Sequence, residues 1–329
     1  MARVTDFYSL ASEGLDPDAV PPLLIETILS QIEGTTKPLI DVLIERGLGA
    51  LEPLAALAMA QFLAFQVTRG RAFRAQLMAM ANAGQLLMWK GITDDGIAAR
   101  LRDAGDDDGP ESVARIREWL KAWQRGEYAV GPQLAAQVWY AAAAAEPLAL
   151  VLCGRQWRVY ESICPLITCD EPVVAIHAPH QDRRSVPGLG TAGVVVFPLD
   201  PHHILAMFHP YLRPDELALE QFLLPSEAHE LNLEIAANSD RWIFELPSGT
   251  QGRTIAVPRH APERAVVAAV GVKGPHEGEV LHGLRPSRWH YSSNVPPPAM
   301  ARWWQHSEGL ERIPIDPERQ PYAMYNALG

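Results

Sequence analysis

A guanidinium set within an apolar helical stripe is the place where this sequence could do chemistry. Through LAALAMAQFLAFQVTRGRAFRAQLMAM, residues 54–80, the pattern predicts one uninterrupted helix. At about 100° per residue Phe62, Phe73 and Met80 fall along one line, and Gln66 and Arg69 fall on it too, while Arg71 and Arg74 project from the other side. A charge in such a stripe must reach water or find an acceptor, because an unpaired buried charge costs several kcal/mol. Glu26 and Glu33 are seven residues apart in an earlier helical pattern and share a face at the edge of its apolar arc. Asp170 follows the short strand pattern PLITC, which holds Thr168, and precedes Glu171-Pro172, so it stands at a strand end with a stiff backbone. A carboxylate there can pair bidentately with an arginine, or serve as acid, base or metal ligand.

Two functions from different classes follow. In the first the protein is an enzyme, a hydrolase acting on a small anionic substrate. Arg69 holds the anionic group, Asp170 works as acid/base or metal ligand aided by Glu33, and Glu26, Gln66 and Thr168 contact the substrate. In the second it is a non-catalytic binding or regulatory protein, and the same residues form an ion-pair network between a helical half and a sheet half.

Other motifs carry less. Gly188, Gly190 and Gly193 spell G-x-G-x-x-G, but the dinucleotide mechanism needs that loop to open a helix, and here it runs into VVVF, a strand pattern. All eleven histidines lie after residue 176 without the spacing of a metal site, HExxH is absent, and the loop Asp106-Asp107-Asp108-Gly109 lacks the terminal Glu of a calcium loop. No cofactor or metal is assigned. Cys153, Cys164 and Cys169 make an odd set without a Cys-x-x-Cys spacing, which argues against a disulfide framework. Arg288-Trp289-His290-Tyr291 and Arg302-Trp303-Trp304 could stack bases, yet their aromatic rings read more simply as packing.

The elements that must position these residues change character along the chain. Residues 1–150 read as a helical region. A helix starting near Pro21-Pro22 ends at Gly34, and a second begins at Thr35 or Thr36 and runs to Glu45. After residues 54–80, further helices fall at 85–90, 94–101, 111–124 and 133–145. Residues 151–284 read as strands 157–163, 165–169, 172–176, 194–199, 204–208, 242–246 and 265–272, with a helix over 227–237 capped by Ser226. Residues 285–329 form a proline-rich extended tail whose Trp289, Trp303, Trp304 and Tyr322 pack on the body. The fold class is therefore α+β, an N-terminal helical region packed on a C-terminal mixed, mainly antiparallel sheet region. With 48% hydrophobic and 20% charged residues the chain is globular. A net charge of −11 repels phosphate backbones, so stable non-specific nucleic-acid binding is not expected. The apolar runs 54–67 and 138–152 are interrupted by Gln61 and Gln66 and by Glu146-Pro147, and the N-terminus has no apolar signal region, so a cytoplasmic protein without membrane contact is expected.

As an ordered set, FLAFQVTRGRAFR, ITCDEPVVAI, VVVFPLDPHHILAM and ELNLEIAANSDRWIFE resemble the uncharacterised bacterial family catalogued as domain of unknown function 4238, over most of residues 5–246. The matching positions are Gln66, Arg69, Thr168, Asp170, Pro172, Pro198 to Pro201 and Asn232, with Glu26 and Glu33 resembling the family's paired glutamates. The resemblance thus adds Asn232 to the substrate-binding candidates and implies no particular reaction. Cys169 and Asp200 stand where the family usually has serine. The His-x-x-Pro-x-x-Tyr-Leu segment with which members usually begin has no counterpart here.

Overall fold

The computed structural model describes residues 24–212, 221–260, 264–270, 278–304 and 313. The chain gathers into two compact units: residues 1–74, 134–262 and 285–329 form the first, the body, and residues 75–133 and 263–284 the second.

In the body a helical layer lies on one face of a mixed sheet, as an α+β fold requires. Helices α1 (Leu24–Arg46) and α2 (Pro53–Thr68) precede α3 (Arg71–Met88), which opens in the body and continues into the second unit. The long helix α6 (Leu134–Cys153) packs along α2. Strands β1 (Gln156–Ser162), β2 (Thr168–Cys169), β3 (Val174–Ile176), β4 (Val194–Asp200), β5 (His203–Phe208) and β6 (Phe222–Leu223) follow. Five of them form one sheet in the order β3-β4-β5-β1-β6, antiparallel except where β6 runs parallel to β1. Alternation sorts its two faces. Trp157, Val195, Phe197, Leu205 and Met207 meet α2 and α6, with the Phe62 ring edge-on to Phe197 at 5.9 Å. Tyr160, Val194, Val196, Ile204, Ala206 and Phe208 meet α7 (Pro225–Asn238) and the tail, where Trp303 is buried between Tyr160 and Phe208. Trp289 and Trp304 are buried too, whereas Tyr322 lies outside the described residues. Strand β7 (Ile243–Phe244) pairs with β2, and the short helix α8 (Gln251–Thr254) follows it.

Several boundaries differ from the sequence pattern. The expected helix over residues 54–80 breaks at Arg69-Gly70 into α2 and α3. Conversely, α1 runs through Gly34 and Pro38, where two helices were expected. Burial of Thr36 and Leu43 favours continuing the helix. Helix α6 likewise passes Glu146-Pro147, since Ala149 and Leu152 beyond the proline are buried. Ala136–Cys153 is consequently long and apolar enough to cross a membrane by length and composition, although its buried side is occupied by α2 and the sheet. Pro225, not Ser226, opens α7, and the Glu227 carboxylate turns back to accept the Leu224 amide at 2.8 Å.

The second unit contains α4 (Asp94–Ala104), α5 (Pro110–Gln124) and an antiparallel hairpin of β8 (Arg264–Val270) and β9 (Gly278–Leu284). Its helical core is Ile97, Val113, Leu120 and Trp123. The Trp123 indole N–H and the Val130 amide both donate to Asn82, at 2.7 and 2.8 Å.

Candidate functional site

Arg69 meets the helical half, not the sheet. Its guanidinium pairs with Glu33 of α1 and donates to the Gln66 side chain at 2.6 Å. Gln66 therefore sits in the stripe as an acceptor for the arginine one turn on. The cluster lies at the surface: the Arg69 and Glu33 side chains are 32% and 48% exposed, so the pair contributes little to stability. Glu26 falls in α1 with its side chain outside what is described.

Asp170 is engaged elsewhere. Its carboxylate accepts the successive main-chain amides of Asp240, Arg241 and Trp242 at 2.9, 2.8 and 3.3 Å, a concave row of N–H donors just past the end of α7. The expected Arg69–Asp170 pair is not formed. The arginine that reaches this segment is Arg71, which projects from the opposite side of the helical pattern and binds Asp240 at 2.7 Å. Thr168 is half-buried in β2, opposite Phe244. Asn232 is buried and clamps the approach to β2, accepting the Ile167 amide at 2.9 Å and donating to the Pro165 carbonyl at 3.1 Å.

Glu171, next to Asp170 in the chain, meets the break between α2 and α3. Its buried carboxylate accepts the Ala72 amide at 3.1 Å, where α3 begins and unpaired N–H groups point outward. Gly70 makes room for it: a Cβ there would stand 2.2 Å from Glu171 Oε2. Burial raises the Glu171 pKa above the ordinary carboxylate value, opposed by Arg285 and by the α3 amides. Asn238 ties the same segment to α7 by donating to the Glu171 carbonyl at 2.6 Å.

Two further arginines of the body are wholly enclosed. Arg155 donates to the carbonyls of Leu189, Ala192 and Met207, at 3.1 Å to Leu189 from Nε, 2.9 Å to Ala192 and 3.1 Å to Met207. The glycine-rich loop thus turns carbonyl oxygens inward around a cation, the reverse of a phosphate cradle, and then enters β4 as its strand pattern requires. Burial lowers the Arg155 pKa to about 9, which leaves it charged at neutral pH. Arg183 and Glu234 form a buried pair at 2.5 Å, and Arg183 also donates to the carbonyls of Pro296 and Pro297 at 2.5 and 2.6 Å. Burial raises the Glu234 pKa even against Arg183.

Beside that pair lies a small cleft of about 30 Å³ between β3, α7 and the tail, lined among others by His177, Arg183, Glu234, Ser287, Arg288 and Trp289. Arg288 donates to the carbonyls of Pro258 and Ser239 at 2.9 and 2.8 Å. His177 hydrogen-bonds the Ser185 carbonyl at 2.6 Å, and burial draws its pKa down to about 4, so it is neutral at pH 7. Among the described residues no group of three metal-ligating side chains is gathered. Glu234 and Arg183 were not among the sequence candidates. The available signal was the one used for Arg69: Glu227, Glu234 and Asn238 recur at helical spacing with Leu231, polar side chains within a buried stripe.

With this geometry in view, the chain belongs to the family described as Protein of unknown function (DUF4238), which matches residues 1–249. No curated protein and no solved structure matches it.

Proposed function

We propose that this member of the DUF4238 family binds a small anionic ligand without transforming it, the residues first suited to catalysis serving as scaffold. One observation carries the reading: the Asp170 carboxylate is held by three consecutive main-chain amides, and Arg69 is held by Glu33 and Gln66. A general acid or base needs a free route to a substrate proton, and a carboxylate locked in an amide row lacks one. The anionic preference is supported by Arg155 and Arg288, whose hydrogen bonds among the described residues run to carbonyl and hydroxyl oxygens and to no carboxylate.

The test is to incubate the purified protein with a metabolite extract and follow both retained and consumed compounds by mass spectrometry. Retention of an unchanged anion is expected. Consumption of a compound that stops in Asp170→Asn, at unchanged melting temperature, would overturn the reading in favour of a hydrolase built on Arg69, Asp170 and Glu33.

A further inference from the structure

Helix α6 is apolar on every side, yet the body uses one side of it. Ala145, Ala149 and Leu152 are buried with α2 and the sheet. On the opposite side Trp139, Ala143, Glu146, Leu150 and Cys153 are exposed, Trp139 at 65% and Leu150 at 41%. Tyr140, 45% exposed, sets its ring edge-on to Trp139 at 5.2 Å. Glu146 is the one charged residue in the helix sequence. Only 22% of Ala136–Cys153 is buried, whereas a helix hydrophobic all round belongs in an interior. A contiguous apolar face of this kind marks a contact, and aromatic rings are its usual anchors.

Spacing and charge together select what covers it. The five exposed positions follow at steps of four, three, four and three residues, the period at which one helix presents a continuous seam to another. Two copies of the seam fit each other when they run antiparallel. Trp139 of each copy then lies opposite Leu150 of the other, and Ala143 lies opposite Glu146. The small methyl leaves room for the glutamate stem, whose carboxylate reaches water at the edge. In a parallel pair Glu146 would face its own counterpart, like charge against like. Lipid fits less well: a chain of net charge −11 is repelled by anionic headgroups, and α2 and the sheet hold the other side of α6. From Trp139 to Cys153 the face is about 21 Å long and about 10 Å wide, so a pair of copies buries an area at the low end of specific interfaces.

We propose that the exposed face of α6 is the contact through which two copies of this chain associate, as an antiparallel helix pair with Trp139 and Leu150 as reciprocal anchors. The arrangement is isologous, each contact being made twice, and it closes at two copies. It stands independently of the anion and uses none of the residues argued to bind it.

The test is sedimentation equilibrium of the full chain over a concentration series. A monomer–dimer equilibrium in the micromolar range is expected, tightened by added salt because two copies of charge −11 repel each other. Trp139→Glu and Leu150→Glu should each weaken it about tenfold or more. The melting temperature of the dilute protein should not change, since both side chains are exposed in the single copy. Ile163→Glu, at a body residue 76% exposed, should leave the dimer as it was. Direction is read from Cys153: in the antiparallel pair the two thiols stand about 25 Å apart along the helix axis. A Cys153–Cys153 disulfide that forms in the wild type and is lost in Trp139→Glu would overturn that arrangement. A monomer at every concentration would overturn the proposal outright. So would a monomer that binds neutral phosphatidylcholine vesicles through Trp139, which makes lipid the occupant. A monomer destabilised by Trp139→Glu would overturn it too, by showing that the chain covers the face itself.

Discussion

The body and the second unit handle charge in opposite ways. Among the described residues of the second unit ion pairs stay outside: Arg102–Asp108, Arg117–Asp94, Lys121–Glu118 and Arg125–Glu127 all have at least one partner more than half exposed, above an interior of Ile97, Val113, Leu120 and Trp123. In the body surface pairs such as Arg69–Glu33 remain, but charge also goes inside. Arg155 is enclosed by carbonyls, Glu171 sits against the first amides of α3, and Arg183–Glu234 is sealed with side chains 6% and 9% exposed. Surface pairs are nearly neutral in stability, whereas half of a buried pair is expensive to leave behind. The body therefore adds to its apolar core buried polar groups with few alternative partners, whereas the helical core of the second unit is apolar.

The largest effect that would sharpen this contrast is expected from Glu234→Ala. It strands the Arg183 charge and should cost about 3–5 kcal/mol, read as a fall in the urea midpoint. If the midpoint barely moves, the pair is not sealed and the contrast fails. In the second unit the order is reversed: Leu120→Ala should cost about 2–5 kcal/mol as a core cavity, and Asp94→Ala under about 1 kcal/mol. Equal costs would mean that its surface pairs matter as much as its core.

Acid should find the body first. His177 and His209 are buried, with pKa values drawn down to about 4 and about 3, mainly by loss of hydration. A histidine depressed below its unfolded value of about 6.5 stabilises the fold fully above that pH and progressively less as pH falls toward the folded value. Glu171 and Glu234, with raised pKa values, act with the opposite sign and regain stability as pH falls. Urea midpoints measured from pH 7 to pH 5 should decline, and His209→Asn should remove on the order of 2 kcal/mol of that decline at pH 5. A variant as pH-sensitive as the wild type would show that His209 is not held neutral.

Two smaller effects separate cap from surface. Gly70→Ala should cost about 1–2 kcal/mol, comparable to losing a helix cap, because its methyl displaces the Glu171 carboxylate from α3. Glu33→Gln should change stability by less than about 1 kcal/mol. If the two were equal, the break between α2 and α3 would owe nothing to Glu171.

The helices α4 and α5 of the second unit are also the part most legible from local sequence, whereas its strand β9 carries no signal that the sequence pattern picked out. Thr93 caps α4, Gly105 ends it in the left-handed region, and Pro110 opens α5. Each signal acts within one turn of the residue that carries it. In the body the local signals misled wherever a distant group intervened. The stripe from Phe62 to Met80 reads as one helix because nothing within it announces a carboxylate arriving from Glu171. The place of Arg69 in the stripe calls for an acceptor, but periodicity does not tell whether Glu33 or Asp170 supplies it.

By itself the sequence determined the α+β class, the strand over 194–199, the failure of the glycine motif to open a helix, and the family. These depend on side-chain period and backbone preference, which neighbours in the chain decide. Only the tertiary structure decided which charge meets which: Arg71 with Asp240, Arg183 with Glu234, Glu171 with the start of α3. Electrostatic partners are chosen by distance in space and by exclusion of water, and neither is written in spacing along the chain.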